Sequence, residues 1–138
     1  MAIFKACLAW LTGAVLLTAA VVDFRSTRDF IRESIVVPGR VARLDYGPHH
    51  PDITFTTRAG EHVEYPQGGE VDVKLGEIVE IRYLPAAPRR SASMNTFGAL
   101  WGGPITFAVM GAFFVLAGLS EAWPVMRRAK REKGTPAG

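Results

Sequence analysis

Residues 97–120 read FGALWGGPITFAVMGAFFVLAGLS and contain no charged side chain. An α-helix rises about 1.5 Å per residue, so roughly 20 apolar residues cross the ~30 Å hydrocarbon core of a bilayer. A water-soluble domain in a chain of 138 residues would not bury so long an apolar helix. The stretch therefore predicts a transmembrane helix, which we place at residues 91–123.

A second apolar block lies near the N-terminus, at residues 6–22, between Lys5 and Asp23. Its length is at the lower end for a membrane span, and a cleaved signal peptide is the alternative. The apolar character continues to Phe24, past the small residues at which a signal peptidase would cut. We therefore favour a retained transmembrane helix at residues 1–24 and keep the signal peptide as the competing interpretation.

Two spans place both ends of the chain on the same side of a membrane. Basic residues concentrate after the second span, in a predicted tail at residues 124–138, and cytoplasmic flanks of spans carry such an excess. We predict a bacterial inner-membrane protein with both termini in the cytoplasm and residues 25–96 outside it. Because the basic residues adjoin a span, they predict contact with anionic lipid and not with nucleic acid.

Residues 25–39 form a membrane-proximal segment in which Thr27, Ile31 and Ile35 recur at helical spacing. The pattern fits either an extension of the first span or a fresh amphipathic helix on the headgroups. The Pro38-Gly39 pair is expected to end the helix. We favour a connector with a solvated charged face.

From residue 40 to residue 90 the hydrophobic period changes to two, which is typical of half-buried strands. Glycine and proline turns separate the stretches. The sequence therefore predicts an α+β membrane protein, in which two transmembrane helices flank a small, partly closed antiparallel β domain. The five predicted strands cover Ala42–Tyr46, Ile53–Thr57, Val63–Tyr65, Val71–Leu75 and Val79–Tyr83.

Three segments carry a family resemblance: Pro38-Gly39-Arg40-Val41, the Pro51–Phe55 strand entry, and the Leu75–Pro88 segment that ends in spaced prolines. Together with the Trp-containing span they resemble bacterial membrane proteins of domain-of-unknown-function family 3592, over roughly residues 36–119. The resemblance implies a two-span envelope protein with a small β domain. It implies no activity and no catalytic residues, and Leu84 departs from the acidic residue common in that family.

Candidate metal ligands are few. His49, His50 and His62 are the low-probability candidates, with Asp52 and Glu64 nearby in the predicted hairpin. Imidazole and carboxylate are suitable ligands for Zn²⁺ or Cu²⁺, but three or four must converge. Neighbouring residues of a strand point to opposite faces, and the flanking prolines place the histidine pair in a turn. We therefore predict a solvated loop, with no metal and no cofactor.

The sequence carries no nucleophile–base motif and no phosphate-binding loop. Its single cysteine, Cys7, lies in the first apolar block and allows no internal disulfide. A non-enzymatic protein is therefore expected.

Small residues at i, i+4 spacing recur in both apolar blocks, and such residues let membrane helices approach closely. The two spans packing against each other is the favoured interpretation for one helix face. A face for a protein partner or a homo-oligomer is the alternative. The predicted packing residues are Gly98, Gly102, Gly103, Ala108, Gly111, Ala112 and Gly118 of the second span, with Ala9, Gly13, Ala14 and Thr18 in the first.

Aromatic and basic residues mark the predicted membrane interfaces. Trp101 and Trp123 lie 22 positions apart, a helical rise of roughly 33 Å. The set predicted to lie at the interfaces is Trp101, Trp123, Arg127, Arg128, Lys130 and Arg131.

These features predict a protein whose work is protein–protein contact, as an accessory subunit of an envelope assembly. One alternative is an immunity-type protein that neutralises an envelope-acting toxin. A second alternative is a metal-binding loop protein. Small size, membrane placement and the lack of catalytic groups motivate the immunity-type alternative, whereas the metal-binding alternative rests on His49, His50 and His62.

Overall fold

The computed structural model describes residues 1–69 and 71–134, so the last four residues of the predicted tail lie outside the described part. The described residues contain three helices and five strands, in two compact units. One unit comprises residues 1–21 and the chain from residue 105 onward, and the other comprises residues 22–104. In chain order the elements are α1 (Ala2–Glu33), β1 (Ile35–Arg43), β2 (Asp52–Thr56), β3 (His62–Pro66), β4 (Ile78–Tyr83), α2 (Pro88–Ser91), β5 (Ser93–Met94) and α3 (Phe97–Lys133).

The strands form one antiparallel sheet in the order β3-β2-β1-β4-β5, curved into a half-barrel. This confirms the predicted α+β fold, in which two long apolar helices flank a small five-stranded antiparallel sheet along the chain. The sheet begins at Ile35, earlier than predicted, and its last strand lies at Ser93–Met94, later than predicted.

Pro38 lies inside the central strand β1, although we expected Pro38-Gly39 to precede the sheet. The Val41 N–H donates to Glu77 on the β4 side of β1. Because backbone groups alternate along a strand, Pro38 directs its nitrogen to the β2 side. Pairing with β2 starts only at Gly39, so the missing N–H of Pro38 costs no ladder hydrogen bond.

The predicted strand at Val71–Leu75 is wrong. Val71 and Val73 are buried and Asp72 and Lys74 are exposed, as an alternating pattern requires, but the segment joins no ladder. Its backbone instead contacts the loop after β1, where the Val73 N–H donates to the Pro48 carbonyl at 3.4 Å. Periodicity thus identified the buried face correctly and the pairing incorrectly.

The apolar core lines the inside of the half-barrel. Phe55 packs its ring against Tyr65 at 5.9 Å and against Tyr83 at 5.3 Å between centroids. Gly39 is buried in this sheet. A Cβ there would lie 2.6 Å from Ile81 Cγ1, so the position has no room for a side chain. The core side chains are Val37, Val41, Ile53, Phe55, Val63, Tyr65, Val71, Val73, Ile81, Tyr83 and Met94.

A buried glutamine joins the two edge strands of the half-barrel. Gln67 directly follows β3, and its Oε1 accepts the Tyr65 hydroxyl at 2.9 Å and the Met94 N–H of β5 at 2.8 Å. Gln67 is 6% exposed and Tyr65 is 3% exposed. Burial raises the pKa of the Tyr65 hydroxyl well above its ordinary value, so this donor keeps its proton. The contacts partly close the sheet from the inside.

Helix α1 continues without a break to Glu33, which fits the extension of the first span and not a fresh helix. Its C-terminal end is held by Arg82 of β4. The Arg82 guanidinium donates to the Ile31 carbonyl and to Ser34 Oγ, each at 3.2 Å, and to Asn95 Oδ1 at 2.6 Å. A cation at a helix C-terminus satisfies free carbonyl groups and complements the helix dipole.

Candidate interaction surfaces

The apolar parts of α1 and α3 pack against each other through glycine. A Cβ on Gly13 would lie 2.8 Å from Val115 Cγ2 and 3.0 Å from the Gly111 carbonyl oxygen. A Cβ on Gly111 would lie 2.8 Å from Leu17 Cγ. Because positions later in α1 face positions earlier in α3, the two helices run antiparallel and approach closely where the side chain is a hydrogen atom.

We call this contact between α1 and α3 the seam. Its buried positions repeat every seven residues. In α1 they are Ala6, Gly13 and Ala20, and in α3 they include Gly111 and Gly118. Gly118 lies against the Trp10 ring and the Ala6 carbonyl. A seven-residue apolar repeat is the period at which two helices stay in contact through a left-handed supercoil.

Several other predicted packing residues are not buried at this seam. Ala108 and Ala112 are exposed, as are Ala14 and Thr18 of α1. In the other unit, Gly98 and Gly102 are half-buried and Gly103 lies near the Asp23 carboxylate. The i, i+4 spacing therefore identified many small residues, whereas the seven-residue spacing distinguishes those at the contact.

The remaining faces of both helices are apolar and open. Among the described residues, two helices, Ala2–Glu33 and Phe97–Lys133, are long and apolar enough to cross a membrane. In their most apolar windows the buried share is 11% for α1 and 17% for α3. The core helix of a soluble protein is mostly buried, so these helices do not resemble one.

The two tryptophans predicted at the interfaces have different neighbours. Trp101 packs its ring against Phe24 at 5.0 Å, next to a hydrogen bond from Thr27 Oγ1 to the Leu100 carbonyl at 3.3 Å. Trp123 is 55% exposed, and the Arg127 guanidinium lies 5.0 Å from its ring centroid. Arg128, Lys130 and Arg131 are exposed on the last turns of α3.

The three histidines do not converge. His62 begins β3, and its Nδ1 lies 2.9 Å from Thr56 Oγ1. His49 and His50 precede Asp52, which pairs with Pro66 at the other end of β3, about 13 Å away at ~3.3 Å per residue. His49 Nδ1 instead contacts the Val71 carbonyl at 2.7 Å. Within residues 1–69 and 71–134 no group of three His, Cys, Asp or Glu side chains could hold a metal ion.

The end of the sheet away from α1 is built from two loops, residues 44–51 and 71–78, which we call the tip. The His49–Val71 and Val73–Pro48 contacts hold the two loops together. Three large apolar side chains are exposed there: Tyr46 at 83%, Leu75 at 66% and Ile78 at 59%. An open cavity of about 580 Å³ is lined by residues 72–77.

Acidic residues neighbour the exposed apolar residues of the tip in sequence. Asp45, Asp72 and Glu77 are exposed, and Lys74 is the basic residue among them. Beside the tip, Arg43 pairs with Glu64 and with Asp52 at 3.2 Å, and more distantly with Asp45 at 3.8 Å. Residues 44–51 and 71–78 hold three acidic residues, Asp45, Asp72 and Glu77, and one basic residue, Lys74. This end of the compact unit 22–104, which we call the β unit, is therefore acidic although the whole chain carries +3.

The sequence pattern does not predict the tip as an exposed surface. The alternating pattern predicts Tyr46 in the first strand, but that strand ends at Arg43 after a register shift between Val41 and Arg43. Leu75 was likewise assigned to a strand that does not form. The available signal was the turn chemistry at Gly47 and Gly76, which both have positive φ and mark their neighbours as turn residues.

Comparison with known proteins gives one relevant similarity. The chain is 38% identical over 90 residues to a protein described as immune protein Tsi4 of Pseudomonas aeruginosa. The aligned region covers 64% of this chain and 62% of that relative, which is less than two thirds of its length. No model of a protein family and no solved structure matches the chain. The resemblance to family 3592 stays a prediction.

Proposed function

We propose that this chain is an immunity-type protein that binds and neutralises a toxin acting at the bacterial envelope. The observation that carries the proposal is the 38% identity over 90 residues to an immune protein. The alternative drawn from the sequence, a toxin-neutralising protein, therefore takes precedence over the accessory-subunit interpretation, for which no comparison offers support. The metal-binding alternative lacks converging ligands among the described residues.

The proposed location is the inner membrane, with both termini in the cytoplasm and residues 25–96 outside it. The support is physical. The apolar side chains of α1 and α3 are largely uncovered within the structure, and burying apolar surface yields about 25 cal/mol per Å². Lipid can cover such helices, because an α-helix satisfies its backbone hydrogen bonds internally. The basic end of α3 supports the cytoplasmic assignment of the tail.

The proposed mechanism is binding without catalysis. The two helices would anchor the chain where an envelope-acting toxin arrives, and the β unit would present its exposed side chains to that toxin. Anchoring raises the effective concentration of the β unit at the membrane, which strengthens capture without any new contact. The hydrogen bonds that Gln67 accepts from Tyr65 and Met94 tie the edge strands of the β unit together. A preorganised unit loses less entropy on binding.

The test is a contact-dependent survival experiment that works before the toxin is identified. A strain deleted for this chain is mixed on a solid surface with its own parent, which would deliver the toxin. We expect the deletion strain to lose viability beside the parent and to recover when the full chain is supplied from a plasmid. Equal survival of the deletion strain and the complemented strain would overturn the proposal.

A further inference from the structure

We propose that the tip of the β unit, residues 44–51 and 71–78, is the toxin-binding surface, and that it takes a basic, partly apolar face of the toxin. This inference rests on the proposed immunity function and names the surface that performs it. It is carried by the exposed apolar groups at one end of the sheet and by the charge around them.

The tip exposes three large apolar side chains, Tyr46, Leu75 and Ile78, at 83%, 66% and 59%. Elsewhere in the sheet, the large apolar side chains at inward positions are buried in the core or pack against it. Protein interfaces place tyrosine and other large apolar side chains at the centre of the contact and polar groups at the rim. The tip has this composition, because Asp45, Asp72 and Glu77 border those side chains in sequence.

The charge of the tip decides which kind of partner it binds. Within the tip, three acidic residues against one basic residue favour a cationic partner. An anionic bilayer surface would be repelled by the same charges. A second copy of this chain would present the same acidic tip, and a symmetric contact between two like-charged tips is unfavourable. A toxin with a basic contact face remains as the complementary partner.

The backbone of the tip is suited to a fixed surface. The two loops are held by the His49–Val71 and Val73–Pro48 contacts, and the Lys74 N–H is held by Glu77 Oε2 at 2.8 Å. The Gly76 N–H donates to the Val41 carbonyl at 2.9 Å, so the second loop is also tied to the central strand. A preorganised surface loses little entropy when its partner binds.

The first experiment repeats the survival test with variants of the full chain. Tyr46→Ser with Leu75→Ser removes apolar contact, and Asp72→Lys reverses one charge of the rim. Glu61→Lys is the matched control, because Glu61 is an exposed acid in the β2–β3 turn, at the other end of the sheet. Truncating hot-spot side chains lowers affinity by about 30-fold or more. We expect both tip variants to lose protection and the control to keep it, with equal amounts of each protein in the membrane fraction.

The outcomes separate the two proposals. If the wild-type chain protects and the tip variants protect equally well, the assignment of the tip is overturned while the immunity function stands. If the wild-type chain itself fails to protect, the immunity function is overturned. Thermal unfolding of each detergent-solubilised variant shows whether lost protection reflects an unfolded β unit.

The second experiment does not depend on variant stability. A photo-crosslinking phenylalanine analogue replaces Tyr46 in one recipient strain and Glu61 in another, and the attacking parent is grown on heavy isotopes. We expect a Tyr46 adduct that contains heavy-labelled peptides from the attacker, and no such adduct at Glu61. Adducts made only of unlabelled protein, including a second copy of this chain, would overturn the assignment.

Discussion

Replacing Gly39 by alanine should destabilise the β unit, because the inner surface of the sheet has no room for a methyl group there. A Cβ at this position would lie 2.6 Å from Ile81 Cγ1 and 3.1 Å from the Thr54 carbonyl oxygen. Carbon atoms prefer about 3.5–4.0 Å, so the overlap with Ile81 is about 1 Å. Ile81 is 0% exposed and cannot swing into solvent.

The magnitude follows from two opposing effects. Overpacking a core costs about 1–3 kcal/mol, and replacing glycine by alanine returns about 0.4–1 kcal/mol by restricting the unfolded chain. The free energy of unfolding should therefore fall by up to about 2.6 kcal/mol. For a unit of this size each kcal/mol corresponds to about 4–8 °C in Tm.

The assay is thermal unfolding of the full chain in detergent, followed by circular dichroism. Gly68→Ala is the matched control, because a Cβ there would meet nothing within 4 Å. We expect Gly39→Ala to unfold at a lower temperature than the wild type and Gly68→Ala to unfold at the same temperature or slightly higher. A Gly39→Ala chain as stable as the Gly68→Ala chain would refute the packing argument.

Three further predictions use the same assay. Gly111→Leu should lower the unfolding temperature, because overpacking the seam against Leu17 costs about 1–3 kcal/mol. Ala112→Leu, at the exposed neighbouring position, should leave the unfolding temperature unchanged. Equal effects of the two substitutions would contradict the seam. Gln67→Leu should destabilise the β unit by about 1–3 kcal/mol or more, because the buried Tyr65 hydroxyl and Met94 N–H both lose their acceptor; an unchanged Tm would contradict that role. Burial raises the pKa of Tyr65, so above about pH 10 the unfolded chain releases a proton that the folded chain keeps, and stability should fall by about 1.4 kcal/mol per pH unit. Tyr65→Phe should remove this part of the alkaline loss, and an identical pH profile for the two proteins would be inconsistent with a buried neutral hydroxyl.

The sequence predicted the fold class because its strongest signals are physical requirements. Two long uncharged stretches and a change of period from helix to strand define the α+β arrangement. The alternation in β2, β3 and β4 also placed Ile53, Tyr65 and Ile81 correctly on the buried face. These assignments need information only from neighbouring residues, which a single sequence contains.

The predictions that were wrong concern contacts between residues that lie far apart in the chain. Alternation shows that Val71 and Val73 are buried, but whether a ladder forms depends on which strand lies beside them. Pro38 is tolerated in a central strand only because pairing with β2 begins one residue later. The closure of the half-barrel by Gln67 likewise requires Met94, far along the chain. No local pattern encodes any of these three facts.

The candidate surfaces were likewise predicted where neighbouring residues suffice and missed where the fold decides. Small-residue spacing predicted close helix packing, yet it did not distinguish Gly111 at the seam from Ala112 on the open face. The sequence pattern does not predict the tip, because Tyr46 and Leu75 fit the alternating pattern of a strand. In the structure each residue precedes a glycine with positive φ, and its side chain is exposed. A side chain that is apolar and exposed becomes recognisable only once the fold is known.

Site-specific labelling in intact cells tests most directly whether the β unit is displayed outside the cytoplasm by two membrane crossings. With Cys7 replaced by serine, single cysteines are introduced at Asp72 in the tip and at Lys133 at the end of α3. A membrane-impermeant maleimide should label the Asp72→Cys protein in intact cells and the Lys133→Cys protein only after lysis. Labelling of the Lys133→Cys protein in intact cells, or protection of the Asp72→Cys protein until lysis, would contradict the account.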